Sequence, residues 1–287
     1  MKSIVCVEPE RFEMREVPVP VPGPGEALLR ILRVGICGTD LHAYRGKQPY
    51  FEYPRMSVMG VHQDGGMREY MAVPLRHLVK TEGLAPEQAA IVECLCIGSR
   101  AVRVADASPG SWVMVIGAGP IGLGAMRLAK LAGARVIAMD INEHRLRFCK
   151  QWASADVTVT AGQEALASVE KITGGDFPIA VIDATGNSGS MEQALHFVAH
   201  GGRLVYVGLV RSDITFHDPD FHKREMAIMG SRNAMRQDFL DVIGAIRAGK
   251  IDMDSFITHR ASFADMIGQY EEWLRPETGV IKAIVEL

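Results

Sequence analysis

The sequence predicts an α/β protein built around a doubly wound parallel sheet of the Rossmann type. Two observations predict this fold. Strand and helix patterns alternate from Ser111 onward, and the glycine motif Gly117-Ala-Gly-Pro-Ile-Gly122 joins the first of these strands to the first helix. Because repeated β-α units place parallel strands side by side, helices are expected on both faces of the sheet.

The bulk composition agrees with a folded globular chain. Its 287 residues suit one large domain or two ordinary ones, and 48% hydrophobic with 23% charged residues argues against disorder. A net charge of -3 offers no broad cationic surface for nucleic acid or anionic lipid. We therefore expect a small-molecule partner and neither nucleic acid nor membrane.

The cysteines and the apolar segments favour a cytoplasmic protein. The N-terminus lacks the apolar core of a signal peptide, and the most apolar stretch, Trp112 to Met126, contains glycines and a proline and is too short to cross a bilayer. An odd, scattered set of cysteines is not a disulfide framework. The set consists of Cys6, Cys37, Cys94, Cys96 and Cys149.

The elements follow from hydrophobic periodicity and turn residues. Residues 1–56 hold short apolar runs such as Ala27–Leu32 between prolines and glycines, which suggests an all-β unit. Later strands are predicted at Trp112–Ile116, Val136–Met139, Val157–Val159, Ala180–Ile182 and Leu204–Val207. Helices are predicted at Leu123–Ala132, Glu143–Trp152, Gln163–Ile172, 191–198 and 239–246. A tail helix near Ala264–Leu274 and a strand near Ile281–Val285 are expected to return to the first unit.

The glycine motif predicts a site for the pyrophosphate of NAD. Gly117 permits the tight turn, Gly119 lets the backbone approach the phosphates, and Gly122 allows close packing of the helix on the strand. Pro120 and Ile121, between the second and third glycines, are expected to contact the cofactor as well, and the N-terminal amides and dipole of the helix that the motif opens favour an anion. A structural glycine turn is the alternative, but the motif stands in the strand–turn–helix context that the cofactor requires.

Asp140 ends the next strand, 23 residues after Gly117. A carboxylate there accepts both ribose hydroxyls and repels a 2′-phosphate, so NAD is favoured over NADP. Arg145 either stacks on adenine or is a solvated arginine of a helix face. Thr185 and the segment Val207-Gly208-Leu209 follow later strands, where ligands of parallel sheets bind, and are expected to border the nicotinamide unless they are ordinary turns.

The chain resembles the zinc-dependent medium-chain alcohol dehydrogenases, in particular the branch of sorbitol, threonine and galactonate-type dehydrogenases. The resemblance spans nearly the whole chain. Its segments are Val34-Gly-Ile-Cys-Gly-Thr-Asp40 with His42, Gly60-Val-His-Gln-Asp-Gly-Gly66, Ile91-Val-Glu93, the Gly117 turn, Asp183-Ala-Thr-Gly186, Gly230-Ser-Arg-Asn233 and Thr258-His-Arg260.

The resemblance implies two domains and a set of roles. A GroES-like catalytic domain would comprise residues 1–108 with 249–287, and a Rossmann domain residues 109–248. Cys37 would be a ligand of catalytic zinc, and Glu93 would bind the zinc directly or through water. Thr39 would hydrogen-bond the substrate alcohol, and His42 would pass the proton to solvent. The implied enzyme oxidises a secondary alcohol of a polyol, a sugar acid or a similar metabolite, as a homodimer or homotetramer.

One departure from the family is large. After Arg55 the family continues with a Gly-His-Glu segment and a lobe of four cysteines, whereas this chain passes directly to Met56, so several dozen residues are absent and the GroES-like domain is incomplete. A catalytic zinc normally needs three protein ligands, and only two are found here. Either the Arg55–Met56 junction omits a segment, which we favour, or the deletion is genuine. The alternative functions are a zinc-free quinone or enone reductase and a non-catalytic nucleotide-binding relic.

Overall fold

A computed structural model describes residues 1–47, 57–60 and 62–287. Its strands are β1 (Lys2–Glu8), β2 (Arg11–Glu16), β3 (Glu26–Arg30), β4 (Arg33–Gly35), β5 (Tyr70–Pro74), β6 (Trp112–Ile116), β7 (Arg135–Asp140), β8 (Val157–Thr160), β9 (Ala180–Asp183), β10 (Arg203–Tyr206), β11 (Ala227–Gly230), β12 (Ile257–Ser262) and β13 (Lys282–Glu286). Its α-helices are α1 (Gly38–Tyr44), α2 (Pro86–Ala105), α3 (Pro120–Leu131), α4 (Glu143–Gln151), α5 (Ala165–Thr173), α6 (Ser188–Ala194), α7 (Asp218–Lys223), α8 (Arg236–Arg247) and α9 (Met266–Trp273).

The chain divides into two compact units, residues 1–91 with 253–287 and residues 92–252. Along the chain the units meet at 91/92, inside helix α2, and at 252/253, whereas the sequence predicts boundaries at 108/109 and 248/249. No described helix is both long enough and apolar enough to cross a bilayer.

The first unit is built from small sheets. Strands β1 and β2 form an antiparallel pair, as do β3 and β5, and β13 lies between β12 and β4. Strand β13 comes from the C-terminal tail and pairs with β4, so the predicted return of the tail to the first unit is confirmed. One core cluster of this unit contains four aromatic rings in mutual contact, those of Phe12, Tyr44, Tyr270 and Trp273.

The second unit holds a six-stranded parallel sheet in the order β11-β10-β9-β6-β7-β8. Strands β7 and β8 lie on one side of β6. The chain then crosses back, and β9, β10 and β11 lie on the other side of β6. The strand order therefore reverses between β6 and β9, where Ile116 pairs with Asp183. This reversal is the topological switch point at which doubly wound sheets bind their ligands. The predicted Rossmann fold is confirmed.

Local sequence explains how the helices of this unit begin and end. Asn142 caps α4, since its side-chain oxygen accepts from the amides of His144 and Arg145. Asn187 caps α6 in the same way through the amide of Ser190. Helix α5 ends at Gly174, whose φ of 73° is left-handed. The caps at Asn142 and Asn187 fix where β7 and β9 pass into their helices, and therefore two of the loops at the carboxyl edge of the sheet.

The structure differs from the sequence predictions in three places. Residues 1–56 are not all-β, because Gly38–Tyr44 form helix α1. The helix predicted over 191–198 ends at Ala194; the chain then tightens into a 3₁₀ turn at Leu195–Phe197 and is extended at Val198. Helix α2 at Pro86–Ala105 is 20 residues long and is not among the predicted helices. The start signal was present, because Pro86 and Glu87 are residues favoured in the first turn of a helix.

Candidate cofactor site

The first glycine of the motif makes a turn that only glycine fits. Gly117 has a φ of +96°, and its amide donates to the carbonyl oxygen of Met139 at 2.8 Å. A Cβ at this position would lie 3.1 Å from Cγ2 of Thr185 and 3.2 Å from the carbonyl carbon of Ala184. Conformation and space both exclude a side chain, so the turn lies directly against the loop that follows β9.

The other two glycines differ in their surroundings. A Cβ on Gly122 would overlap the carbonyl oxygen of Gly117, so glycine is required for α3 to pack against the turn. A Cβ on Gly119 would meet no heavy atom within 4 Å. Gly119 is the N-cap of α3, and Pro120 occupies the first helical position. The amide end of α3 therefore opens onto free space, as an anion site at a helix N-terminus requires.

Asp140 joins the end of β7 to the glycine turn. Its side chain is 8% exposed, and one carboxylate oxygen accepts from the amide of Ala118 at 2.6 Å while the other accepts from the amide of Asn142 at 2.8 Å. A carboxylate has about four lone-pair sites, so two remain for other donors. Arg145 lies on the exposed surface of α4. Asn142 is not among the predicted site residues, although an asparagine just before a helix is a strong N-cap signal.

The loops after β9 and β10 pack against each other. The carbonyl oxygen of Asp183 accepts from the amides of Val207 at 2.9 Å and Gly208 at 3.1 Å. A Cβ on Gly208 would overlap the amide nitrogen of Gly186. Thr185 and Leu209 are exposed on these loops. The second unit thus brings together, at one edge of its sheet, the glycine turn and the segments at 183–187 and 207–209.

The side chain of Asp183 lies beneath this edge and is fully buried at 0% exposure. One oxygen accepts from the amide and the hydroxyl of Thr185 at 2.9 and 2.7 Å, and the other accepts from the hydroxyl of Ser190 at 2.8 Å. Burial raises the pKa of Asp183, and the bonds from Thr185 and Ser190 oppose that rise. In the sequence, Asp183 stands out only as the start of the family segment Asp183-Ala-Thr-Gly186, and no role is predicted for its side chain.

The candidates of the first unit lie around α1. Cys37 is the N-cap of this helix and is half-buried, and its amide donates to Asp40 at 2.6 Å. Thr39 and His42 lie on α1, and both are exposed. These three residues of the family motif lie at the start of α1 and along it, and Thr39 and His42 are about one helical turn apart.

The described residues do not assemble a zinc site. Glu93 is an exposed residue of α2 in the second unit, whereas Cys37 belongs to the first. Across residues 1–47, 57–60 and 62–287, no three or more histidine, cysteine, aspartate or glutamate side chains are grouped so that they could hold a metal ion. The Arg55–Met56 junction lies outside the described residues, and the proximity of Cys37 to Glu93 stays a prediction.

Comparisons with known proteins agree with this architecture. Residues 120–248 match the family described as zinc-binding dehydrogenase. The L-galactonate-5-dehydrogenase of Escherichia coli (strain K12) is 35% identical over 335 aligned positions, which cover 99% of this chain and 98% of the relative. The D-xylulose reductase of Scheffersomyces stipitis is 30% identical, over 77% of this chain and 64% of the relative. The alignment of 335 positions is longer than this chain of 287 residues, so the Escherichia coli protein has positions with no counterpart here.

A solved structure extends the similarity to three dimensions. A protein described as a short chain alcohol dehydrogenase from Escherichia coli CFT073, complexed with the cofactor NADH, matches with a TM-score of 0.91 and 25% sequence identity. The match covers 100% of this chain and 99% of that one.

Proposed function

Since the chain belongs to the zinc-dependent medium-chain alcohol dehydrogenases, we propose that it oxidises a secondary alcohol of a polyol, a sugar acid or a similar small metabolite with NAD. The observation that carries this proposal is the match to L-galactonate-5-dehydrogenase over almost the entire length of both chains. The D-xylulose reductase of Scheffersomyces stipitis, of which this chain covers 64%, acts by its name on D-xylulose, a sugar.

The cofactor site fits NAD on its own geometry. The amide end of α3 opens onto space beside Gly119, which suits a pyrophosphate. Asp140 keeps lone pairs for the ribose hydroxyls. The segments that contain Thr185 and Val207–Leu209 border the switch point, where the nicotinamide end of the cofactor would lie. When bound, the nicotinamide supplies a hydride acceptor; the protein residues bind and orient it.

The catalytic residues are proposed from the family motif. Thr39 would orient the substrate hydroxyl, and His42, exposed one turn further along α1, would pass the released proton to solvent. Cys37 and Glu93 would be the zinc ligands. The family uses zinc, and a catalytic zinc normally takes three protein ligands; within residues 1–47, 57–60 and 62–287 no group of three possible ligands forms, so the described part of the chain supplies only Cys37 and Glu93 as candidates.

An assay of purified full-length protein tests the proposal. We expect NADH to form from NAD⁺ in the presence of L-galactonate, with a panel of neutral polyols as the comparison and NADP⁺ as the cofactor control. Zinc content measured on the same preparation should be near one per chain. Formation of NADH by a preparation that contains no zinc would instead support a zinc-free reductase mechanism. NADH binding without zinc and without turnover on any substrate would support a non-catalytic relic.

We further propose a homodimer or homotetramer joined through the edge strand β11. Its residues are mostly exposed, and Met229 on the strand and Met235 after it are exposed apolar side chains. A cytoplasmic location is proposed because all five cysteines are free thiols, the state that a reducing compartment maintains. Sedimentation of the purified protein, with Met229→Lys as the disrupting variant, tests the oligomer.

A further inference from the structure

The buried carboxylate of Asp183 is not accounted for by cofactor recognition or by the proposed proton path. It is the last residue of β9 at the switch point, and its side chain has no exposure. Its three hydrogen bonds come from neutral donors on Thr185 and Ser190. In the described part of the chain, no cationic side chain pairs with it.

A charge held in this way is costly to the fold. Moving a carboxylate out of water without a cation costs several kcal/mol, and three hydrogen bonds offset only part of that cost. A neutral amide would serve as well in bonding: an asparagine oxygen accepts from the two Thr185 donors, and the Ser190 hydroxyl can accept from its NH₂ group. The hydrogen-bond pattern alone therefore does not explain the charge.

The position of Asp183 suggests what the charge does. Its carboxylate fixes Thr185, and the Thr185 backbone and methyl group lie against the Gly117 turn, within 3.2 Å of where a Cβ on that glycine would be. Its carbonyl oxygen fixes the loop at 207–208. Asp183 thus anchors both loops beside the switch point, where the ligand of such a sheet binds.

We propose that Asp183 positions the nicotinamide loops and that its negative charge favours the oxidised cofactor over the reduced one. The oxidised nicotinamide ring carries a positive charge. When the ring accepts a hydride from the alcohol carbon, two electrons and one proton arrive together and that charge is lost. A fixed carboxylate nearby stabilises only the oxidised ring, because the reduced ring is neutral. This inference rests on the proposed NAD binding.

Binding measurements with three ligands test the inference. For Asp183→Asn we expect the ratio of the NAD⁺ to the NADH dissociation constant to rise about tenfold, equivalent to about 1.4 kcal/mol. ADP-ribose, which lacks the nicotinamide, should bind within about twofold of the unmodified chain. The matched control is Asp156→Asn, which removes a carboxylate that binds the amide of Val136 at the opposite edge of the sheet. It should leave the ratio unchanged.

The outcomes separate this inference from the proposed function. An equal loss of affinity for all three ligands would overturn it and leave Asp183 as a structural anchor alone. Should Asp183→Asn fail to fold, Asp183→Ser, a smaller neutral side chain, must raise the same ratio, and Ser190→Ala, which keeps the charge, must not. If the unmodified chain binds neither nucleotide, the proposed cofactor is refuted and the inference falls with it.

Discussion

Replacement of Asp140 by alanine is the sharpest test of cofactor choice. The side chain is 8% exposed and accepts from the amides of Ala118 and Asn142 at 2.6 and 2.8 Å. Removing it leaves two amide donors without their acceptor, which costs about 1–3 kcal/mol each. The free energy of unfolding of the unliganded protein should therefore fall by about 2–6 kcal/mol, which urea denaturation measures directly.

The effect on nucleotide binding is separate from this loss of stability. A hydrogen bond to a charged group contributes about 1.5–3 kcal/mol, so NADH affinity should fall about 10- to 150-fold. The variant also loses the repulsion of a 2′-phosphate, which is about 2–3 kcal/mol per unit charge at about 6 Å and an effective dielectric of about 20. The ratio of the NADPH to the NADH dissociation constant should consequently fall at least about a hundredfold.

Fluorescence titration of both reduced nucleotides, below the temperature at which the variant unfolds, provides the assay. Glu143→Ala is the matched control, because it removes an exposed carboxylate three residues further along, in the first turn of α4. The control should retain the preference for NADH. If Asp140→Ala also retained it, the ribose would be recognised by another residue, and the assignment of Asp140 would be wrong.

Three further predictions follow from the packing of the second unit. Gly119→Ala should fold with near-normal stability, since its Cβ meets nothing within 4 Å, but should bind NADH at least about tenfold more weakly. Gly122→Ala should instead lose several kcal/mol of stability, because its Cβ overlaps a carbonyl oxygen. Arg103→Ala should lower the free energy of unfolding, measured by urea denaturation, by about 1–3 kcal/mol, because it leaves the carboxylate of Asp238, which is 1% exposed, without its cation. Burial raises the pKa of Cys149 to about 12, so its thiolate is scarce at neutral pH and a thiol reagent should modify it only on unfolding; rapid modification of the native protein would contradict its burial.

Much of the second unit was predictable because its signals are local. The strands are continuous apolar runs, and such runs are typical of strands buried on both faces. The roles of Gly117 and Gly122 follow from backbone geometry over six residues, and the structure gives both glycines the expected close contacts. The end of α6 was missed because apolar spacing continues past Ala194 while the chain tightens into a 3₁₀ turn. Periodicity reports which face is buried, and both conformations keep that face inward.

The sequence by itself determined the fold class and the family, because the glycine turn and the other family segments are short motifs that can be read along the chain. It also predicts the place of the dinucleotide. The tertiary structure alone decided what surrounds Asp183. Its partners Thr185 and Ser190 are close to it in sequence. Its burial, however, depends on strands β6 and β10 and on the loop at 207–208, which are distant from it in sequence. The energy of a charged side chain depends on its distance from other charges and on the dielectric around it. Neither quantity can be read from the spacing of residues along the chain.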